Sequence, residues 1–138
     1  MKPEAREILL IYDENLVRDR KALALAQSLA HYRLRSWNIR KERLSEKQIA
    51  ELAQSLQISI KQLVARKSAI YKERYQHCDL DEHDWLTALK ENPDLLRTPI
   101  ILFESVAKIL DSGFDLIKED MSHRGIVSKK VSRQEMQA

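Results

Sequence analysis

Asn92-Pro93-Asp94-Leu95-Leu96-Arg97-Thr98-Pro99-Ile100-Ile101-Leu102-Phe103 takes a polar turn through an X-Pro bond straight into an apolar strand. Proline cannot donate to a ladder, so Pro99 is expected at a sheet edge or where a strand begins. Its ring also disfavours helical geometry at the preceding residue, which pushes Thr98 toward extended backbone. A cis Thr98–Pro99 bond would hold the backbone groups of this turn in a fixed, exposed arrangement, as a binding site requires. The sequence leaves the isomer open.

Upstream of this turn, Ile8-Leu9-Leu10-Ile11-Tyr12 is a continuous apolar run of strand length and reads as a central strand buried on both faces. Asp13-Glu14-Asn15 breaks it. From Val17 to His31, Leu23, Ala24, Leu25, Ala26, Leu29 and Ala30 recur at helical spacing, with Asn15 or Asp19 as the expected cap. The apolar arc of this helix is wide, and any surplus beyond what covers the sheet would suit a partner helix or a homo-oligomer. Tyr32 to Ile39 alternates with period two, so a second strand follows, with either Tyr32 and Leu34 or Trp37 and Ile39 turned inward. A connecting helix implies a parallel pair and a right-handed β-α-β unit.

The middle of the chain, from about 45 to 91, is helical. Ser45-Glu46-Lys47-Gln48 has the form of a capping box, and Ile49, Leu52, Ala53 and Leu56 make the apolar stripe of a helix over 46–56. Ser59 opens a short helical segment bearing Ile60, Leu63 and Val64, and 68–75 adds a further turn or two. A helix over 82–91 follows, stopped by Pro93. Beyond Pro99, Ile100–Phe103 and Val106–Leu110 form two strands joined through Glu104-Ser105. Asp111-Ser112-Gly113 ends the second, Phe114 and Ile117 belong to a final short helix, and 120–138 is expected to be a mobile tail.

The 138 residues suit one hydrophobic core. The 24 Lys and Arg and 21 Asp and Glu are interspersed, and the tail alone, with Arg124, Lys129, Lys130 and Arg133 against Asp120 and Glu135, carries +2 of the net +3. The body therefore lacks the basic stripe of a dedicated DNA binder. Cys78 is the single cysteine, so neither an intramolecular disulfide nor a thiolate metal cage is available. No apolar run approaches the roughly 20 residues of a membrane span, and charged Lys2, Glu4, Arg6 and Glu7 interrupt any signal-peptide pattern. These features imply a cytoplasmic protein with no membrane partner.

Several side-chain groups invite a chemical reading. His77, Asp79, Asp81, Glu82, His83 and Asp84 are the densest set of metal-ligand types, but their spacing fits helix capping better than convergence, and no metal is assigned. Asp13, Glu14 and Asp19 follow the first strand, where an open α/β sheet binds ligands; the alternative is a solvated turn and a cap. Arg66, Lys67, Lys72 and Arg74 with Tyr71 and Tyr75 suit either stacking on nucleic acid or an amphipathic helix packing its aromatic side, and the second account is simpler. Direct nucleic-acid contact is not expected. Cys78 is a weak catalytic candidate: His77 is adjacent in sequence, but adjacency alone does not activate a thiol.

The order β-α-β, helical insertion, β-β-α is that of an α/β, thioredoxin-like fold with a four-stranded mixed sheet and an inserted helical subdomain. Over residues 8–119 the chain resembles the arsenate reductase and Spx-like (ArsC-like) branch of the thioredoxin superfamily. The likeness rests on the Ile8–Tyr12 strand, Arg20-Lys21-Ala22, Leu44-Ser45-Glu46-Lys47-Gln48-Ile49, Leu63-Val64-Ala65-Arg66-Lys67-Ser68 and the stretch from Glu91 to Ile101. It implies a single domain over 1–119. Members that reduce arsenate carry a cysteine where the first helix begins, and Spx-like regulators a CxxC pair; these positions correspond to Val17 and Arg20, which lack sulfur. By the same resemblance Arg66 matches an oxyanion-binding arginine, Thr98 replaces the arginine before Pro99, and Arg97 is expected to turn to the other face.

The resulting expectation is a redox-inactive binding or regulatory protein, with a protein partner held beside Arg66, Arg97, Thr98 and Pro99 and no cofactor. The alternatives are a thiol-dependent, glutaredoxin- or arsenate-reductase-like oxidoreductase using glutathione or another external thiol, and an Spx-like transcriptional regulator that binds RNA polymerase.

Overall fold

Strand β1 (Glu7–Tyr12) lies inside the sheet, which is why Ile8, Leu9, Leu10 and Ile11 are all buried. The computed structural model describes residues 1–110; the short helix expected at Phe114 and Ile117 and the tail from 120 lie outside the described residues. Strand β2 (Arg33–Asn38) pairs with β1 in parallel, from Glu7↔Arg33 to Tyr12↔Asn38. Strands β3 (Ile100–Leu102) and β4 (Ala107–Ile109) complete a four-stranded mixed sheet of order β2-β1-β3-β4. Both β1–β3 and β3–β4 are antiparallel. Because β3 is internal, Pro99 marks the start of a strand and not an edge, and its carbonyl accepts the Leu110 N–H at 2.9 Å.

The alternation of a strand sends successive side chains to opposite faces, and both faces are covered. Leu9, Ile11, Ile100 and Leu102 pack with Ile49, Leu52, Leu63, Trp85 and Leu89 on one side. Ile8, Leu10 and Ile101 pack with Ala26, Phe103 and Leu110 on the other. In β2 the two register alternatives are both realised: Leu34 joins the second cluster and Trp37 the first, each half-buried.

Helix α1 spans Val17–Gln27 and stops short of the expected His31. Its N-cap is Leu16, which offers no side-chain bond, so neither Asn15 nor Asp19 caps it. Helix α2 (Glu46–Leu56) has the predicted capping box, with Ser45 Oγ accepting the Gln48 N–H at 3.1 Å and Gln48 Oε1 accepting the Ser45 N–H at 2.9 Å. A short 3-10 turn (Ile60–Leu63) and a π-helical turn (Tyr71–Tyr75) lead to α3 (Glu82–Glu91). The two tyrosines of the π turn face inward onto Trp85, with ring centroids 6.4 Å (Tyr71) and 5.8 Å (Tyr75) away. That is the amphipathic-helix reading of the Tyr71 and Tyr75 pair.

The acidic residues before α3 have structural partners. Asp81 caps the helix by accepting the Asp84 N–H at 2.8 Å, and Glu82 accepts the Ile60 N–H at 3.1 Å. Among the described residues no group of three or more His, Cys, Asp or Glu is placed to hold a metal, and no helix is long and apolar enough to cross a membrane.

Candidate functional site

At one end of the sheet β1, β2 and β4 finish and β3 begins, so the chain reverses there through polar turns. The segment after the 3-10 turn is drawn to this end by a short antiparallel pairing: Val64 bridges Leu96, the Ala65 N–H donates to the Leu95 carbonyl at 2.7 Å, and the Arg97 N–H donates to the Leu63 carbonyl at 2.8 Å. This register sets Arg66 opposite Asp94. The Thr98–Pro99 peptide bond is cis.

The turn after β1 is built around two buried carboxylates. Asp19, at 0% exposure, reaches back from the first turn of α1 and accepts the Asp13 N–H at 2.9 Å. Asp13 accepts the Asn15 N–H at 2.9 Å and receives both arms of Arg40, Nε at 2.8 Å and Nη2 at 2.7 Å. Arg40 also bonds Asp94, tying the β1–α1 turn to the turn that leads into Thr98. The forked guanidinium suits this, since its fixed donor geometry matches a carboxylate bidentately. Asp13 is thus paired, and it does not offer an open carboxylate to a ligand.

Asp19 differs. Burial raises its carboxyl pKa above the ordinary 3.8, opposed by the Thr98 hydroxyl, the Asp13 N–H and the Arg18 guanidinium. Its Oδ1 lies 3.6 Å from Arg18 Nε, and neither Oδ1 nor Thr98 Oγ1 has a partner in normal hydrogen-bond geometry. The hydroxyl therefore influences the carboxylate from nearby without a well-formed bond. Arg18 in turn donates from Nη2 to the Thr98 carbonyl at 2.7 Å, fastening α1 to the proline turn.

Asp13, Arg18, Arg40, Asp94 and Thr98 line a groove of about 1210 Å³, and Asp19 does not reach its surface. Its lining includes Leu16, Arg18, Arg66, Arg97 and Thr98, and continues along residues 64–69 and 107–110. Of the site residues expected from sequence, Arg66, Arg97 and Thr98 come together in this groove, whereas Pro99 is buried behind it. Arg97 lines the same groove, with Nη1 donating to the Gln62 carbonyl at 3.0 Å. Arg66 is exposed.

At the head of α1, Val17 is its first residue and is 57% exposed, but Leu16 before it is the one that lines the groove. Arg20 donates to the Glu14 carbonyl at 2.7 Å and is not part of the lining. Cys78 is exposed in the turn after the π segment, where its Sγ donates to the Arg74 carbonyl at 3.3 Å. It does not line the groove.

Sequence reasoning did not single out Leu16, Arg18, Arg40 or Asp94. Arg18 and Thr98 are 80 positions apart and Arg40 and Asp94 are 54 apart, so no local pattern announces either contact. Only the family spacing around the first helix could have drawn attention to Leu16.

No family model and no curated protein matches the sequence at a significant level; the likeness is structural. An arsenate reductase from Vibrio cholerae superposes with a TM-score of 0.73 at 18% identity, over 83% of this chain and 98% of that one. A protein from Yersinia pestis provisionally assigned as an arsenate reductase gives 0.72 at 21% identity, over 80% and 98%. An arsenate reductase (ArsC) related protein from Brucella melitensis gives 0.60 at 12% identity, over 84% and 96%. At such identities the agreement is one of fold, and it extends over nearly the whole of each compared structure. With its mixed four-stranded sheet, inserted helices and proline turn, this chain has the α/β thioredoxin-like fold of the arsenate-reductase structures it superposes on, with its lone cysteine away from the head of the first helix.

Proposed function

We propose that this protein works by binding a protein partner in the groove beside Thr98–Pro99, without thiol redox chemistry of its own. The observation that carries this reading is the composition of the head of α1. A nucleophile must carry an ionisable atom that can come within about 3 Å of its substrate, and Leu16 and Val17 present only hydrocarbon there. The Arg18 guanidinium bonded to the Thr98 carbonyl adds to it, since that contact closes the proline turn onto α1.

Two of the compared structures are described as arsenate reductases, one of them provisionally, and a reductase reading of this chain would have to run through Cys78. The test is turnover of arsenate and of a glutathionyl mixed disulfide by the full chain and by Cys78→Ser. The expected result is no turnover above buffer in either, with partner capture unaffected by the substitution. Turnover that disappears in Cys78→Ser would overturn the binding reading in favour of a thiol enzyme. The Spx-like alternative is tested in the same preparation by retention of RNA polymerase at low salt.

A further inference from the structure

The groove is strongly cationic although the body of the chain is almost neutral. Arg18, Arg40, Arg66, Lys67, Arg97 and Lys108 line it against only Asp13 and Asp94, a balance of +4. Arg40 is consumed by the two carboxylates and Arg18 pairs with Asp19, so the field reaching a ligand comes chiefly from Arg66, Lys67 and Arg97. Arg66 and Lys67 are exposed and have no ion pair among the described residues. Between the charges the walls are aliphatic, with Leu56, Ile58, Val64, Leu96 and Ile109 among them, and no aromatic side chain lines the groove. Single-stranded nucleic acid is held by base stacking on aromatic rings as well as by charge, so this lining suits a peptide better.

One wall is also a strand edge. Consecutive residues of a strand point to opposite faces, so a groove lined by all of 107–110 borders the edge of β4 and not one of its faces. The Leu110 N–H bonds to Pro99 and the Phe103 N–H to Val106, and with the register Ile101↔Lys108 this turns the backbone groups of 106, 108 and 110 toward β3. The N–H and C=O of Ala107 and Ile109 therefore point away from the sheet, and neither residue has a backbone partner on that side among the described residues. Exposed strand edges of this kind accept an added strand.

We infer that the groove takes an acidic, extended peptide segment of a partner protein, which pairs its backbone with the Ala107 and Ile109 edge of β4 and sets its carboxylates against Arg66, Lys67 and Arg97. The inference rests on the binding reading above and gives it a ligand class.

The probe is a fluorescent peptide of about six residues, the usual strand length, alternating glutamate and valine. It is titrated into the full chain and followed by anisotropy. The expected result is saturable binding that weakens by about tenfold or more in Arg66→Glu/Lys67→Glu, where like charges now face each other. Lys72→Glu, exposed but outside the groove, leaves it unchanged. Ile109→Pro removes one outward N–H without touching the bonds to β3, and is expected to weaken binding similarly. Methylating alternate amides of the peptide checks the same pairing while leaving the protein intact. Equal binding of the lysine-for-glutamate peptide, indifference to amide methylation, or full displacement by orthophosphate would overturn the inference. So would tighter binding of an oligonucleotide or self-association through the same residues. Loss of peptide binding with no Cys78-dependent turnover removes this inference and leaves the binding reading standing.

Discussion

The aromatic layer around Trp85 and the polar cluster around Asp19 are buried alike, Trp85 at 2% exposure and Asp19 at 0%, yet they are held by opposite means. In the aromatic layer, Trp85 packs between Tyr71, Tyr75 and the aliphatic stripes of α2 and α3, and the stabilisation is apolar contact. In the polar cluster, Asp13, Asp19 and Thr98 are buried polar residues whose contacts come from distant parts of the chain. The first arrangement builds the fold. The second is a polar constellation whose Asp13 and Thr98 line the groove.

Substitutions sharpen this contrast, the largest effect coming first. Trp85→Ala should cost about 3–5 kcal/mol in denaturant unfolding, the range for deleting a buried aromatic. Trp85→Phe should cost much less, because the Trp85 Nε1 has no hydrogen-bond partner to lose. If the alanine variant is as stable as the parent chain, the aromatic layer is not a core. Asp13→Ala comes next, at about 2–3 kcal/mol, since it leaves the Nε of part-buried Arg40 and the Asn15 N–H without their acceptor, while Nη2 keeps Asp94. A loss comparable to that of Trp85→Ala would show that the polar cluster is as structural as the core.

Asp19→Asn is the smallest and the most telling. Because burial raises the Asp19 carboxyl, the folded chain keeps this proton to higher pH than the unfolded chain does. The group's contribution to stability is therefore greatest at acid pH and falls as pH rises from 3.8 through the raised folded value. The amide cannot ionise and still offers an oxygen to the Asp13 N–H, so Asp19→Asn should flatten that fall and raise stability at neutral pH by about 1 kcal/mol. Unfolding curves collected across acid to neutral pH measure it. A steeper fall in the variant would reverse the sign of the argument.

Much of the fold was legible because local chemistry and tertiary demand agree. The Ile8–Ile11 run is apolar throughout because both faces of β1 are covered, and the Ser45–Gln48 box and the Asp81 cap start their helices with bonds spanning three residues. The family spacing brought Arg66 and Thr98 to attention, and both line the groove. The start of α1 was misread for a physical reason: Asp19 has a capping residue's chemistry, but it lies inside the helix and spends its oxygen on Asp13.

The sequence by itself determined where strands and helices form, that the first strand is central, and that no cysteine stands at the head of the first helix, because these follow from periodicity, capping and residue identity within a few positions of one another. Only the tertiary structure decided that Arg18 closes onto Thr98, that Arg40 joins Asp13 to Asp94, and that basic side chains from separate segments line one groove with residues 107–110. Such contacts are fixed by sheet order and by the meeting of chain reversals at one end of the sheet. Their partners lie too far apart in sequence for any local pattern to encode them.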